Sequence, residues 1–371
     1  MAIPQCWLHS RSRLLSGAAL SAGLLLTLLL AATTLVWRAA HLQAVGSDEI
    51  PFRKHTIDLG RSESVAVADI NRDGRLDVVS GENWYEQAPP TEKGAGPQWI
   101  KHHFRDLPYT DGYIEDLSDL AIDVNGDGYP DIVSCSYWQE PLTWWENPQG
   151  QDKPWRKTVI QTGSPVEFAF LVDLLNTGKA RELLPQFGND NFPLSWYEIT
   201  GSGAAAQWTR HIVSPHSYGH GIGAGDVNGD GLPDLVTSLG HDYGIFWYVQ
   251  KKSPDGRRAW TKHVIDDAWS QAHALTLVDL LGDGRKDLVT GKRYYAHEHD
   301  PGANEPLGVY WYEPVQSEGR LQWIRHVIDY STRAGGGLQI PVVDIDDDGD
   351  LDIVVAGKSG LFLFENLTKS H

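Results

Sequence analysis

Cysteine is nearly absent from this 371-residue chain. Cys6 precedes a long apolar run and Cys135 lies deep in the body, so neither a disulfide framework nor a cysteine-based zinc site is expected. Basic charge is scarce as well. The first 41 residues hold Arg11, Arg13, Arg38 and no acid, which leaves 28 of the 31 basic side chains against 49 acidic ones, a net of −21. A nucleic-acid partner calls for a basic stripe, and none is expected here. The acidic excess suits divalent cations instead. With 41% hydrophobic and 22% charged residues, the composition is that of a folded chain.

One long hydrophobic run is present. Leu14 to Trp37 carries no charge and is flanked by Arg11, Arg13 and Arg38. It is long enough to span a bilayer and exceeds the roughly 7–15-residue core of a cleavable signal. Residues 1–41 are therefore read as a signal anchor, with a cleaved signal peptide as the alternative. Positive charge on the N-terminal flank places the bulk outside. The expected location is extracytoplasmic: membrane-anchored through the N-terminal helix, or secreted or periplasmic after cleavage.

The remainder repeats. Ala224-Gly225-Asp226-Val227-Asn228-Gly229-Asp230-Gly231, followed by Asp234-Leu235-Val236, has copies beginning at Asp69, Asp123, Asp173, Asp279 and Asp344. The spacings are 54, 50, 53, 53 and 65 residues, the last lengthened by an insertion from Tyr294 to Leu307. Each unit reads as four short strands. The third carries Trp84, Trp145, Trp196, Trp247 or Trp311, and the fourth opens at Trp99, Trp155, Trp208, Trp260 or Trp323. Four strands at this period make one propeller blade. The last unit ends after its third strand, while Phe52 to Ile57 forms an unmatched fourth strand. Pairing the two would close a ring and remove both edges. The expected fold is an all-β, six-bladed propeller over residues 52–366, after a linker at 42–51 and before a tail at 367–371.

The repeated loops place carboxylates and amides at positions 1, 3, 5 and 9, with glycine at 6 for a sharp turn. Hard oxygen donors on such a loop suit Ca²⁺, and strands on both sides exclude an EF-hand. Four loops are complete: Asp69/Asn71/Asp73/Asp77, Asp123/Asn125/Asp127/Asp131, Asp226/Asn228/Asp230/Asp234 and Asp344/Asp346/Asp348/Asp352. Asp279/Asp283/Asp287 has Leu281 at position 3 and is expected to bind more weakly. The loop at Asp173 has Leu175, Thr177 and Arg181 in ligand positions, and no metal is expected there. About four calcium sites follow, all structural.

Repeats also separate scaffold from site. His55, His102, His211, His263 and His326 recur in the fourth strand and read as scaffold, whereas Trp138 and Trp269 have no counterparts. Six residues before each loop's first Asp stand Glu63, Leu117, Glu167, His220, His273 and Leu338. Two His and two Glu at an inner-strand start are candidates for a second metal, Zn²⁺, Mn²⁺, Fe²⁺ or Mg²⁺, held by His220, His273 and Glu167 or Glu63. Loops at the same end add Tyr113, Glu115, Tyr137, Trp138, Asn189, Asp190, His216, Tyr218, His241, Lys292, Arg293, His297 and Lys358. A mixed aromatic and polar lining suits sugars; a polar adhesion surface is the alternative.

The Asp loops resemble the FG-GAP, or VCBS-type, repeats of integrin-like and bacterial surface propellers. Beyond them, His220, His273, the Gly291-Lys292-Arg293-Tyr294 turn and the Trp-Tyr-Glu strands resemble the propeller domain of aldos-2-ulose dehydratase and its bacterial relatives. That resemblance implies elimination of water from a keto-sugar. A divalent ion would polarise the carbonyl, Glu63, Glu167 or His297 would take the α-proton, and Lys292 and Arg293 would stabilise the enolate. The alternative function is a non-catalytic surface propeller that binds glycan or protein.

Overall fold

The computed structural model describes residues 46–89, 96–138, 142–161, 168–177, 182–186, 194–200, 207–215, 219–294 and 299–369. Among them every regular element is a strand, and no helix is long and apolar enough to cross a membrane. Leu14 to Trp37 lies outside the described residues.

Six four-stranded antiparallel sheets account for nearly all of the strands. The first joins Ala66–Ala68, Asp77–Ser80, Asn83–Ala88 and Gln98–His103. The second joins Ser118–Ile122, Asp131–Cys135, Leu142–Glu146 and Arg156–Gln161. Phe168–Val172, Glu182–Gln186, Leu194–Thr200 and Gln207–Ser214 make the third; Gly219–Gly225, Asp234–Leu239, Tyr243–Lys252 and Arg258–Ser270 the fourth. The fifth contains Ala272–Val278, Asp287–Lys292, Gly308–Ser317 and Arg320–Tyr330. In the sixth, Val342–Val343, Asp352–Gly357 and Gly360–Asn366 are completed by Phe52–Asp58 from the other end of the chain. Phe52 faces Asn366 and Thr56 faces Phe362. Repeated four-stranded sheets of this kind are the building units of a propeller.

In the first and sixth sheets the second strand, Asp77–Ser80 and Asp352–Gly357, is buried along its whole length rather than alternating. The apolar clusters lie between neighbouring sheets. Ile70, Val79 and Trp84 meet Ile132 and Trp145 between the first two, and Val65 and Val78 meet Val354 and Leu363 between the sixth and the first. Polar staples add to this packing. The Gln339 side chain accepts from the Asp119 and Val65 amides and donates to the Asp119 carbonyl. Between the first two sheets, Arg105 is fully buried with Nη2 2.8 Å from both Asp116 and Asp119.

Four of the five recurring histidines are cross-strand partners of the tryptophans, and His55 stands opposite Leu363. His102, His211 and His326 stack on Trp84, Trp196 and Trp311 with centroids 3.9–4.2 Å apart. The glutamate two residues after each tryptophan faces the same way, so His102 bonds Glu86 and His211 bonds Glu198, each at 2.9 Å. Their scaffold role has a physical basis: one register pair supplies stacking and a hydrogen bond together.

Candidate functional sites

The Asp loops fold around their own side chains. In the first, Asp69 Oδ1 and Oδ2 accept from the amides of Asp73 and Gly74, each at 3.0 Å, and Asn71 Oδ1 accepts from Asp73 at 3.0 Å. The loop at Asp226 repeats these bonds. Position 6 requires a left-handed backbone: Gly74, Gly128, Gly231, Gly284 and Gly349 have φ between 82° and 91°. In the sixth loop, oxygens of Asp344, Asp346 and Asp348 lie within 4.8 Å of one another, and this is the only carboxylate/His/Cys cluster of its kind among the described residues.

The loop at Asp123 keeps the bonds to the amides at positions 5 and 6, from Asn125 and Asp123, and adds side-chain partners at positions 3 and 5. Asn125 is exposed, and its amide Nδ2 donates outward to Glu146 Oε1 at 3.4 Å. Its Oδ1 accepts from the Asp127 amide at 2.9 Å. Asp127 gives one oxygen to the Tyr129 amide at 2.9 Å and the other to Gln149 Nε2 at 3.4 Å. Asn125 and Asp127 thus hold the loop backbone as Asn71 and Asp73 do in the first loop, with Glu146 and Gln149 as further neighbours.

Position 9 has a structural role that its spacing does not reveal. Asp77 is fully buried, and its two oxygens accept from the amides of Ile70 and Gln87, each at 2.9 Å. Asp131 does the same with Val124 and Asn147, and Asp352 with Ile345 and Asn366. The carboxylate thus pins its loop to the third strand. Burial pushes the carboxyls of Asp77, Asp287 and Asp352 up to about 7 and that of Asp234 to about 6. In the unit at Asp173, Arg181 lies outside the described residues. Glu182, one position later, accepts from the Leu175 amide at 3.1 Å and supplies the equivalent bond.

At the other end of the sheets, Glu63 and Arg293 form a buried bidentate pair, with Oε1–Nε at 2.6 Å and Oε2–Nη2 at 2.8 Å. The carboxylate expected to serve as metal ligand or base, and the guanidinium expected to meet an enolate, are engaged with each other. Lys292 is also buried and donates to Ser270 Oγ at 2.7 Å. Burial lowers its pKa, and Glu305 opposes that shift. His273 is fully buried, with Nδ1 3.2 Å from the Gln271 carbonyl oxygen and its ring 5.5 Å from that of His241. It borders a cavity of about 240 Å³ together with Ile222, Thr276 and Leu338. Glu167 and His297 lie outside the described residues, as do Asn189, Asp190, His216, Tyr218 and the side chain of His220.

An aromatic cluster stands beside the ion pair. The Tyr113 ring has Lys358 Nζ 3.4 Å from its centroid, Arg293 Cζ at 5.7 Å and the Trp138 ring at 5.7 Å. Tyr137 packs on Trp138 at 6.2 Å and is 48% exposed. Burial brings the Lys358 ammonium down to about 8; Glu63 pulls against this, and Arg293 and Arg61 add to it. Trp269, the other unmatched tryptophan, belongs to the core: it is buried and donates to Tyr312 Oη at 2.7 Å.

Two features here escaped the repeat comparison. Gln271 is fully buried at φ 66°, and neither polar atom of its side-chain amide has a hydrogen-bond partner. Its only sequence signal is the place between Ser270 and His273. The run Gly335-Gly336-Gly337 lets three sheets approach closely, since a Cβ on Gly337 would collide with the carbonyl oxygens of Glu63 and Ala356. Three consecutive glycines were a visible signal for that approach.

A model of the FG-GAP-like repeat matches residues 187–237, which include the Asp226–Asp234 loop. No curated protein matches the chain. Among solved structures, a protein provisionally assigned as a gluconolactonase aligns over 87% of this chain and 95% of its own, at 8% identity and a TM-score of 0.41. BBS1N, from its complex with ARL6DN, aligns over 87% and 99% at 10% identity and a TM-score of 0.43. The repeat match agrees with the resemblance read from the Asp loops. It does not bear on the likeness to aldos-2-ulose dehydratases.

Proposed function

We propose that this chain is a six-bladed, calcium-stabilised propeller displayed outside the cytoplasm, and that the end bearing Tyr113 and Trp138 binds glycan. Ring closure would use the pairing of Phe52–Asp58 with Gly360–Asn366. The observation that carries the binding assignment is the Tyr113 ring, with Trp138 beside it and Lys358 over it. Aromatic faces offer apolar contact to a sugar ring, and neighbouring polar groups fix its orientation. The Asp loops fit calcium by donor chemistry: inward-turned carboxylate and amide oxygens on a tight glycine turn. Calcium there would tie the loop together and perform no chemistry.

Glycan-array binding of the full chain tests this reading. Binding to a defined set of saccharides, lost in both Tyr113→Ala and Trp138→Ala, is expected. No saccharide bound, or binding untouched by either change, would overturn it, and capture of a protein ligand through the same residues would favour adhesion.

A second reading, elimination of water from a keto-sugar, draws on Lys358. An amine held near 8 is suited to proton transfer at neutral pH. Release of a dehydrated product from a keto-sugar would distinguish this reading, because a binding module returns its ligand unchanged.

A further inference from the structure

A second site lies in the groove between the third and fourth sheets. It encloses about 940 Å³, within the range of small-ligand pockets. Its walls include Arg210, Lys252, Arg257, Arg258, Trp196 and Trp260. Four cations around one groove run against the −18 of the whole chain. The groove opens where the repeat pattern fails, with Leu175 and Thr177 in its lining instead of ligand side chains.

The acids nearby are already engaged. Asp255 accepts from Arg257 Nε at 2.7 Å, Glu198 bonds His211 at 2.9 Å, and Glu182 accepts from the Leu175 amide at 3.1 Å. Arg258 is left short of an acceptor: its Nη1 is shielded from solvent and has no hydrogen-bond partner. Burial lowers its pKa, against the pull of Glu182 and Glu198. A buried guanidinium N–H without an acceptor is costly, and the guanidinium fork matches an oxyanion at two points. Arg210, its Nε held by Ser195 Oγ at 3.1 Å, lines the same groove.

We propose that this groove binds an oxyanion-bearing oligosaccharide, with Arg258 and Arg210 on its sulfate or carboxylate group and Trp260 against its ring. The site is separate from Tyr113 and does not depend on the reading of that end.

Calorimetric titration of the full chain with a sulfated disaccharide, an unsulfated uronate disaccharide and cellobiose tests it, and the two anionic probes distinguish sulfate from carboxylate as the recognised group. At least one anionic probe should bind. Its affinity should fall roughly tenfold or more in Arg258→Gln, as loss of a charge-assisted pair requires, and should hold in Tyr113→Ala. If Arg258→Gln does not fold, Arg258→Lys retains the charge without the fork and should show a similar loss. Equal affinity in the Arg258 variant, equal binding of cellobiose, or no heat from either anionic probe would overturn the proposal. Preference for a phosphorylated peptide over the saccharides would overturn the carbohydrate assignment.

Discussion

Glu63 and Arg293 stand 230 positions apart in sequence and meet as a buried, two-point ion pair. Glu63 precedes the first sheet, and Arg293 follows the second strand of the fifth. Removing one partner leaves an uncompensated charge in a dry place, which costs about 3–5 kcal/mol. Arg293→Met should therefore destabilise strongly in urea unfolding, and adding Glu63→Gln should recover part of the loss. A single-variant change below about 1 kcal/mol, the scale of an exposed pair, would show that the pair is not the buried contact described.

Lys358 offers a pH test. Its folded pKa of about 8 lies below the ordinary 10.5. Between those values the unfolded chain binds the additional proton, so stability should rise with pH across that window. Below pH 8 the cost of burying the ammonium is fully present. Trace acylation should find Lys358 titrating near 8, and Arg293→Met should move that midpoint upward by removing a neighbouring cation. A midpoint near 10.5 in the wild type would remove the basis for Lys358 as a base.

The repeat was legible because each unit restates it. Trp84 and His102 recur at fixed spacing, and their cross-strand register explains the recurrence. The role of Asp77 was not legible, since a calcium ligand and a clamp on two backbone amides both ask for a carboxylate. The same ambiguity hid Glu182, which serves from one position later than the pattern implies. Spacing also equated Asn125 and Asp127 with Asp346 and Asp348, but it says nothing of Glu146 and Gln149, which engage the first two. Equal spacing placed Glu63 and His273 at equivalent strand starts but could not reveal their partners. Glu63 turns to Arg293, and His273 to the Gln271 carbonyl.

Calcium removal should lower the thermal midpoint, and millimolar calcium should restore it. An ion that binds only the folded state adds about 2.7 kcal/mol per site at a hundred times its Kd. Asp230→Ala removes a position-5 ligand and also the acceptor for the Leu232 amide, so it should be severe. Thr177→Ala, in the loop where no metal is expected, should be mild. A midpoint insensitive to EDTA in protein shown to be calcium-free would sink the structural-calcium reading.

Deleting Pro51 to Asp58 should expose Gly360–Asn366, a strand buried at every position, and leave Glu365 without Arg53 and His55. An unpaired apolar edge is a template for aggregation. Light scattering should show self-association of the truncated chain. A monomeric truncation as stable as the parent would remove the support for closure through this strand.

The second metal has the narrowest donor set. With Glu63 held by Arg293, the residues left to bind it are His220, His273 and Glu167, of which only the His273 side chain is described. Two neutral imidazoles and one carboxylate would suit Zn²⁺, Mn²⁺ or Fe²⁺, or Mg²⁺ with waters completing the shell. Elemental analysis after calcium exchange should find such a metal in the wild type and lose it in His220→Ala/His273→Ala. His263→Ala is the control, since His263 stands opposite Trp247 in the scaffold, and it should leave metal content unchanged. His273 is fully buried, so the double variant must first be shown to be folded. Equal metal in wild type and double variant, or none in either, would rule out this centre and with it the metal-assisted elimination.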